Sequence, residues 1–191
     1  MSKAFPFPAK AVLFDLDGTL LDTAADFADV VQQMTVQAAR PSIEFTAIHK
    51  TVSNGARALV ELAFEIQAGH PDFEERLDTL LALYAQRILT TKATLYPGMD
   101  ALLLQLENAG IPWGIVTNKP ERYSRALLES LGLSTRCSTL ICPDHVSQSK
   151  PHPEPLFLAC KQLNIDPQDA IYVGDHPRDI DAGRAAGMYT I

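Results

Sequence analysis

Two aspartates stand two positions apart at the point where a short apolar segment near the start of the chain ends. Asp15 and Asp17 follow residues 12–14, and Gly18 comes next. One carboxylate can attack phosphorus as a nucleophile, and a second can move a proton to the leaving oxygen. Gly18 would let the backbone turn closely around a phosphate, and Thr19 could orient that loop. Because Asp and Gly are ordinary turn residues, a simple turn is the alternative interpretation.

Polar residues also follow later apolar segments. Thr117 and Asn118 come after residues 111–116, and their hydroxyl and backbone N–H groups can hold phosphate oxygens as neutral donors. Taken alone, this stretch is better explained as an Asn-Lys-Pro turn. Lys150, after a third apolar segment, can neutralise phosphate charge. Lys119 is an equally suitable cation on the sequence alone.

A last pair of carboxylates, Asp175 and Asp179, follows residues 170–173. With Asp15 they would form a cluster of hard oxygen ligands, which suits Mg²⁺ better than a transition metal. Magnesium would offset the repulsion between these carboxylates and an incoming phosphate. Asp179 also fits the first turn of a following helix, and the two interpretations are compatible.

The segments that lead to these groups alternate between strand and helix patterns. Strands are predicted near residues 12–14 and at residues 111–116, 139–142, 170–173 and 188–191, with helices at residues 99–109, near residues 123–131, at residues 153–163 and after Asp179. The helix at residues 99–109 is predicted to bury Leu102, Leu103 and Leu106. This alternation predicts an α/β fold, a doubly wound parallel sheet with helices on both faces. Ligands bind outside the carboxyl ends of such strands, where the polar groups lie.

Between the first strand and about Thr94 the sequence shows helical periodicity and no convincing strand. Asp22 and Thr23 suit the N-cap of the first helix. We therefore predict a core domain of residues 1–21 and 96–191 and an inserted all-α domain of residues 22–95. A loop-like stretch at residues 49–57 is the functional candidate of the insert.

Bulk properties narrow the classes of partner and compartment. The net charge is −7 and the isoelectric point is near 5.1, which argues against nucleic acid and anionic membranes as general partners. Three cysteines and no secretory signal or membrane span favour a cytoplasmic protein with reduced thiols. A monomer or homodimer is expected. The chain ends at Ile191 within the last predicted strand, from which we expect it to be shorter than its relatives.

Four motifs occur in a diagnostic order: Asp-x-Asp-Gly-Thr at residues 15–19, Thr-Asn at 117–118, Lys-Pro at 150–151 and Gly-Asp-x-x-x-Asp at 174–179. In this order they resemble the haloacid dehalogenase superfamily of aspartate-nucleophile phosphatases over nearly the whole chain. The resemblance implies a role for each group: Asp15 as nucleophile, Asp17 as acid/base that also lends its backbone carbonyl to Mg²⁺, Thr117 as phosphate ligand, Lys150 as charge stabiliser, Asp175 as direct metal ligand and Asp179 as direct or water-mediated metal ligand. Dehalogenases of the superfamily lack an Asp at the position of Asp17, so carbon–halogen hydrolysis is disfavoured.

The helical insert resembles the all-α cap of the phosphoglycolate phosphatase-like branch. That resemblance implies that Ser53, Asn54, Gly55 and Arg57 lie over the substrate, with Arg57 able to bind a carboxylate bidentately. An ordinary interhelical loop with a solvated arginine is the alternative. Three stretches, residues 54–58, 140–146 and 149–151, look like N-acetylmuramic acid 6-phosphate phosphatases. The resemblance thus implies a Mg²⁺-dependent phosphatase for a small phosphorylated carboxylic or sugar acid. A phosphoglucomutase-like transferase and a non-catalytic phosphometabolite-binding module remain alternatives.

Overall fold

The structure, a computed structural model, describes residues 8–191. The chain divides into two compact units, one made of Leu95–Ile191 with the described part of Met1–Leu20, and the other of Leu21–Thr94. Most of the N-terminal stretch expected to lack a signal peptide lies outside the described residues. Each unit is described by itself below.

The strands are short and most are followed by a helix. In chain order they are β1 (Ala11–Phe14), β2 (Leu21–Asp22), β3 (Thr94–Leu95), β4 (Trp113–Val116), β5 (Thr139–Ile141), β6 (Ala170–Val173) and β7 (Tyr189–Thr190). The α-helices are α1 (Ala24–Gln37), α2 (Phe45–Thr51), α3 (Ala56–Phe64), α4 (Phe73–Ile88), α5 (Met99–Asn108), α6 (Glu121–Ser130), α7 (Glu154–Leu163) and α8 (Pro177–Ala185).

Five strands form one parallel sheet in the order β5-β4-β1-β6-β7. β1 is buried along its whole length and pairs with β4 on one side and β6 on the other, so that Leu13 lies opposite both Gly114 and Tyr172. A parallel strand buried in this way needs a continuous apolar run, which Ala11–Phe14 provides. The prediction of a doubly wound parallel α/β sheet with an inserted set of helices is confirmed.

The strand bounds follow local backbone chemistry. β4 begins at Trp113 instead of residue 111 because Pro112 has no N–H to donate; its carbonyl oxygen accepts a hydrogen bond from Val12 at 3.1 Å. β6 has the predicted bounds. The prediction that Leu102 is buried is wrong: α5 buries Leu103 and Leu106, and Leu102 is 37% exposed. Three consecutive leucines do not define which of them faces inward.

The helical unit contains α1 to α4. The Asp22 carboxylate caps α1 by accepting a hydrogen bond from the N–H of Ala24 at 3.0 Å, whereas Thr23 provides no side-chain cap. Phe27 on α1 stacks on Tyr84 on α4, with ring centroids 4.1 Å apart. β2 and β3, which pair with each other at the ends of the insert, were not predicted, because two residues are too few to show a period.

The expectation of a loop at residues 49–57 is wrong. Most of that stretch is helical, with the end of α2, a 3₁₀ turn at Val52–Asn54 and the start of α3 meeting at Gly55. Ile48 and Val52 are buried, so tertiary packing holds a sequence of weak helix formers in helical form. Gly55 has a φ of 91°, a backbone conformation that favours glycine.

Among the described residues, no helix is long and apolar enough to cross a membrane.

Gly114 of β4 packs closely against the strands on both sides, β1 and β5. A Cβ at this position would be 2.4 Å from the Thr139 Cγ2 atom and 3.1 Å from the Leu13 Cδ2 atom. We expect Gly114→Ala to lower the free energy of unfolding by about 1–3 kcal/mol, because overpacking forces neighbouring strands apart. Urea denaturation measures this difference. Adding Thr139→Ser removes the nearest methyl group and should restore part of the loss; a Gly114→Ala protein as stable as the wild type would contradict the close approach.

Candidate active site

The polar groups predicted from the sequence lie at the carboxyl ends of the three central strands. Asp15 directly follows β1, Thr117 directly follows β4, and Asp175 lies two residues beyond β6. The chain runs from β1 to β4 and β5 on one side and then crosses to β6 and β7 on the other. β1 is therefore the point where the direction of winding reverses, which is where open α/β sheets bind ligands.

Lys150 occupies the centre of this edge. Its ammonium Nζ lies 2.9 Å from the Asp15 Oδ1 atom and 2.7 Å from the Asp179 Oδ1 atom, and it also contacts the Val116 carbonyl oxygen at 2.8 Å and the Tyr172 hydroxyl at 2.7 Å. Lys150 is 4% exposed and Asp179 is fully buried. One ammonium and two carboxylates are thus removed from water together, an arrangement that is tolerated only when the charges are paired and hydrogen-bonded.

Burial raises the pKa of Asp15 to about 6, from an ordinary value of 3.8. Lys150 acts in the opposite direction, while the negative charges of Asp179 and Asp17 raise the pKa further. Desolvation exceeds the attraction of the ammonium because that one cation is shared between two carboxylates. At neutral pH Asp15 is therefore mainly ionised, in a site that opposes its charge.

Lys119 forms a second ion pair at the same edge. Its Nζ lies 2.9 Å and 3.1 Å from the two carboxylate oxygens of Asp17. The two lysines that the sequence left as equal candidates therefore have different partners. Lys150 contacts Asp15 and Asp179, whereas Lys119 contacts Asp17.

Asp175 and Asp179 complete an acidic cluster with Asp15. One oxygen from each of the three carboxylates lies within 4.8 Å of the others. The donors are all hard carboxylate oxygens, so the set fits Mg²⁺ and does not suit a soft metal. Asp175 is oriented by Thr19, whose hydroxyl donates a hydrogen bond to its Oδ1 atom at 3.0 Å.

Asp179 belongs both to this cluster and to the start of α8. Its Oδ2 atom accepts a hydrogen bond from the backbone N–H of His176 at 3.1 Å, as the third helical residue does in a capping box. Gly174 must be glycine for this contact, because a Cβ there would lie 2.4 Å from the Asp179 Cβ atom. The two roles left open from the sequence, helix acid and cluster member, are thus compatible in the structure.

Asn118 connects two of the loops. Its side-chain Nδ2 donates to the Lys150 carbonyl oxygen at 2.9 Å, and its Oδ1 accepts from the Lys150 backbone N–H at 3.2 Å. The neighbouring Thr117 is buried, and its hydroxyl oxygen accepts the N–H of Lys119 at 3.1 Å. The Asn118 side-chain amide therefore holds the loop that contains Lys150 in position, and the Asn118 backbone N–H and the Thr117 hydroxyl are the candidate donors of the loop after β4 for a ligand. Gly18, with a φ of 90°, makes the turn after Asp17.

Residues 12–191 match the family of haloacid dehalogenase-like hydrolases. The chain belongs to this family. An N-acetylmuramic acid 6-phosphate phosphatase from Pseudomonas putida is 46% identical over 181 residues, which are 95% of this chain and 81% of that protein. A phosphoglycolate phosphatase from Xanthomonas campestris is 41% identical over 191 residues, covering 97% of this chain and 82% of that protein. The expected family and enzyme class are confirmed.

Solved structures show the same fold. A predicted phosphoglycolate phosphatase from Haemophilus somnus superposes with a TM-score of 0.82 at 25% identity, over 97% of this chain and 85% of that one. A HAD family hydrolase from Deinococcus radiodurans, solved with bound phosphate and sodium, superposes with a TM-score of 0.72 at 27% identity, over 96% of this chain and 80% of that one.

The remaining predicted site residues of this hydrolase lie in the helical unit. Asn54 ends the 3₁₀ turn, Gly55 separates it from α3, and Arg57 lies in the first turn of α3. The guanidinium of Arg57 contacts the Glu74 carboxylate at 2.9 Å and lies over the ring of Phe73. The Arg57 side chain remains 55% exposed, so this ion pair is weak and can be exchanged for another anion.

Tyr172 was not predicted from the sequence as part of the site. Its place in the strand-like run of residues 170–173 indicates burial and nothing more. The structure places its hydroxyl between Lys150, Val116 and Asp179. Burial raises the pKa of this phenol well above its usual value, and the charges of Asp15 and Asp179 act in the same direction. The hydroxyl therefore keeps its proton.

The raised pKa of Asp15 makes the stability of this hydrolase depend on pH. Between about pH 4 and pH 6 the folded protein retains a proton that the unfolded chain has released, so stability falls as pH rises through that window. Asp15→Asn has no carboxyl group to titrate here. We therefore expect its free energy of unfolding, relative to that of the wild type, to rise by about 1–3 kcal/mol between pH 4 and pH 6. Urea denaturation in EDTA at several pH values measures the difference.

Asp181→Asn, at an exposed position of α8, is the matched control. Parallel pH profiles for Asp15→Asn and the wild type would show that burial does not oppose the charge of Asp15.

Proposed function

We propose that this hydrolase is a Mg²⁺-dependent phosphomonoesterase that acts through an aspartyl-phosphate on Asp15. The observation that carries the proposal is the Asp15 carboxylate, buried at the end of the central strand and held 2.9 Å from the Lys150 ammonium. A nucleophile needs a fixed position and an ionised oxygen, and this carboxylate has both at neutral pH.

Asp15 and Asp17 divide the chemistry between them in this proposal. An Asp15 oxygen attacks phosphorus, the bond from phosphorus to the ester oxygen breaks, and Asp17, which enters this step as the carboxylic acid, donates its proton to that oxygen and becomes a carboxylate. Water then attacks the phosphorus of the aspartyl-phosphate while Asp17 takes its proton, which releases inorganic phosphate and regenerates Asp15. The contact with Lys119 holds the Asp17 carboxylate in one position between these two proton transfers.

Positive charge and neutral donors would bind the phosphoryl group. Lys150 is the side-chain cation next to the nucleophile, and the backbone N–H groups of Gly18 and Asn118 and the hydroxyl of Thr117 are the donors in the adjoining loops. Thr19 contributes by orienting Asp175. This division gives every predicted residue of the core motifs a distinct task.

Mg²⁺ fits the carboxylate cluster by the chemistry of its donors. Asp15, Asp175 and Asp179 would hold it, together with the backbone carbonyl of Asp17, as the family resemblance implies. When bound, the ion neutralises charge that develops on the phosphoryl oxygens. The three carboxylates carry more negative charge than Lys150 alone can offset, which is consistent with a second cation in this site.

The substrate class follows from the relatives. Curated proteins that share 46% and 41% of aligned residues act, by their names, on N-acetylmuramic acid 6-phosphate and phosphoglycolate. Both compounds combine a phosphate with a carboxylate, so we propose a small phosphorylated carboxylic or sugar acid as the substrate.

The three cysteines are free thiols, which suits the reducing environment of a cytoplasm.

The two units would serve different tasks. We propose that residues 1–21 and 96–191 form the catalytic domain and that residues 22–95 form a helical cap domain. In this proposal Asn54, Gly55 and Arg57 supply contacts to the carboxylate end of the substrate. The exposed guanidinium of Arg57 supports this, because a forked donor matches a carboxylate in geometry and charge.

Release of inorganic phosphate tests the chemistry directly. With Mg²⁺, the wild type should hydrolyse 2-phosphoglycolate, N-acetylmuramic acid 6-phosphate or both, and EDTA should abolish the activity. Asp15→Asn should lower kcat by at least about 10⁴-fold, because the nucleophile is gone. Near-normal turnover in that variant would exclude the aspartyl-phosphate.

A hexose 1-phosphate in the same screen separates the alternatives. An isomeric phosphate among the products would identify a mutase. No turnover of any ester with Mg²⁺ would favour a binding module.

Arg57 provides a test of substrate recognition. We expect Arg57→Ala to raise KM for carboxylated substrates about tenfold and to leave KM for p-nitrophenyl phosphate within about twofold, because only the former offer a carboxylate to the guanidinium. Arg76→Ala is the matched control, since Arg76 lies over the Phe64 ring in the same unit. An equal change of KM for both kinds of substrate would remove Arg57 from carboxylate recognition.

A further inference from the structure

The hydroxyl of Tyr172 is a buried polar group that the chemistry above does not use. Tyr172 is 1% exposed and its ring packs in the apolar core between the sheet and its helices. The hydroxyl nevertheless lies within hydrogen-bond distance of three groups: the Lys150 Nζ at 2.7 Å, the Val116 carbonyl oxygen at 3.0 Å and the Asp179 Oδ1 atom at 3.1 Å. A phenylalanine would fill almost the same space, so packing alone does not explain the hydroxyl.

Counting protons shows what the hydroxyl changes. The Lys150 ammonium has three protons, and four oxygen atoms surround it, those of Asp15, Asp179, Val116 and Tyr172. The tyrosine adds one proton of its own, so four protons meet four acceptors. If Tyr172 donates to the Val116 carbonyl, Lys150 can direct one proton to each carboxylate and the third to the phenol oxygen. Without the hydroxyl, the backbone carbonyl takes the third ammonium proton.

We propose that Tyr172 is a positioning residue that holds the Lys150 ammonium against Asp15. The role in turnover rests on the proposed function, whereas the positioning itself rests on the contacts of Lys150. The Tyr172 hydroxyl accepts from the ammonium and donates to the Val116 carbonyl oxygen, which itself lies 2.8 Å from the ammonium, so Lys150 has two neutral contacts on the sheet besides the two carboxylates.

The need for such a residue follows from the partners that change during turnover. In the proposed reaction Asp15 becomes bonded to phosphorus and loses its full charge, and Asp179 is a candidate metal ligand. The Val116 carbonyl and the Tyr172 hydroxyl lie on β4 and β6 and keep their chemical state throughout. Two fixed contacts on the sheet therefore retain the ammonium while its charged partners vary.

Tyr172→Phe tests the proposal without leaving a polar group unpaired. In that variant the three ammonium protons still meet three oxygens, so the fold should persist, with a melting temperature close to that of the wild type. We expect kcat to fall about tenfold and KM to stay within about twofold, because an ammonium with one neutral contact instead of two is held less firmly once Asp15 is bonded to phosphorus, which affects the transferring phosphoryl group more than binding. Tyr123→Phe, which removes the hydroxyl of a buried tyrosine on α6, is the control and should leave kcat unchanged.

Ammonium exchange measured by NMR tests the positioning independently of turnover. A buried Lys150 should give a resolved ¹⁵N–¹H ammonium signal in the wild type, assigned by its absence in Lys150→Arg. In Tyr172→Phe we expect the hydrogen exchange of this signal to speed up at least about threefold, because one of four contacts is lost. Unchanged exchange and unchanged kcat would each overturn the proposal.

Two further outcomes separate the possible failures. A loss of Mg²⁺ affinity of more than about fivefold by calorimetry in Tyr172→Phe would assign the hydroxyl to Asp179 and overturn its role toward Lys150. If the wild type releases no phosphate from any ester, the proposed function fails, and the ammonium signal still decides whether Tyr172 positions Lys150.

Discussion

The burial of one ammonium between two carboxylates is the constraint on which the rest of this structure depends. Lys150, Asp15 and Asp179 carry a net negative charge in a site that excludes most water, an arrangement that costs free energy unless each polar atom has a partner. The surrounding structure supplies those partners. The Val116 carbonyl, the Tyr172 hydroxyl and the N–H of His176 each satisfy one part of the cluster.

The sheet makes this cluster possible because it brings together groups that lie far apart in the chain. Lys150 and Asp15 are separated by 135 positions, yet their side chains meet at one edge of the sheet, where Asp15 follows β1 and Lys150 lies in the loop after β5. The Asn118 side chain holds the backbone of Lys150 to the loop after β4, and Gly174 lets Asp179 approach β6. Asn118 and Gly174 are therefore needed because they let the charged side chains of Lys150 and Asp179 reach the cluster. Burial opposes the charge of Asp15, and the Lys150 ammonium offsets that effect only in part because Asp179 lies beside it.

The sequence predicted the features that follow from local patterns of apolar and polar residues. It missed the features that depend on contacts between residues far apart in the chain. The alternation of apolar runs and polar strand ends predicted the parallel sheet, the bounds of β6 and the meeting of Asp15 with Lys150 and Asp179 at one edge. It did not reveal which aspartate each lysine contacts, because that depends on the order of the strands in the sheet. Tyr172 was hidden for the same reason. The stretch at residues 49–57 was misjudged because the burial of Ile48 outweighs weak local helix propensity.

Asp15, Lys150 and Asp179 all belong to the same unit of the chain. The residues proposed for the chemistry can therefore be considered apart from those that would select the substrate. Relatives named for N-acetylmuramic acid 6-phosphate and for phosphoglycolate each align with at least 95% of this chain, so the alignments do not distinguish the two substrates. A site that recognises only the phosphoryl group would accept either. Under the proposed function, discrimination would therefore come from side chains that contact the remainder of the substrate. Exposed cationic side chains of the helical unit, of which Arg57 is one, have the charge for that task, because they can exchange a surface ion pair for a ligand carboxylate at little cost.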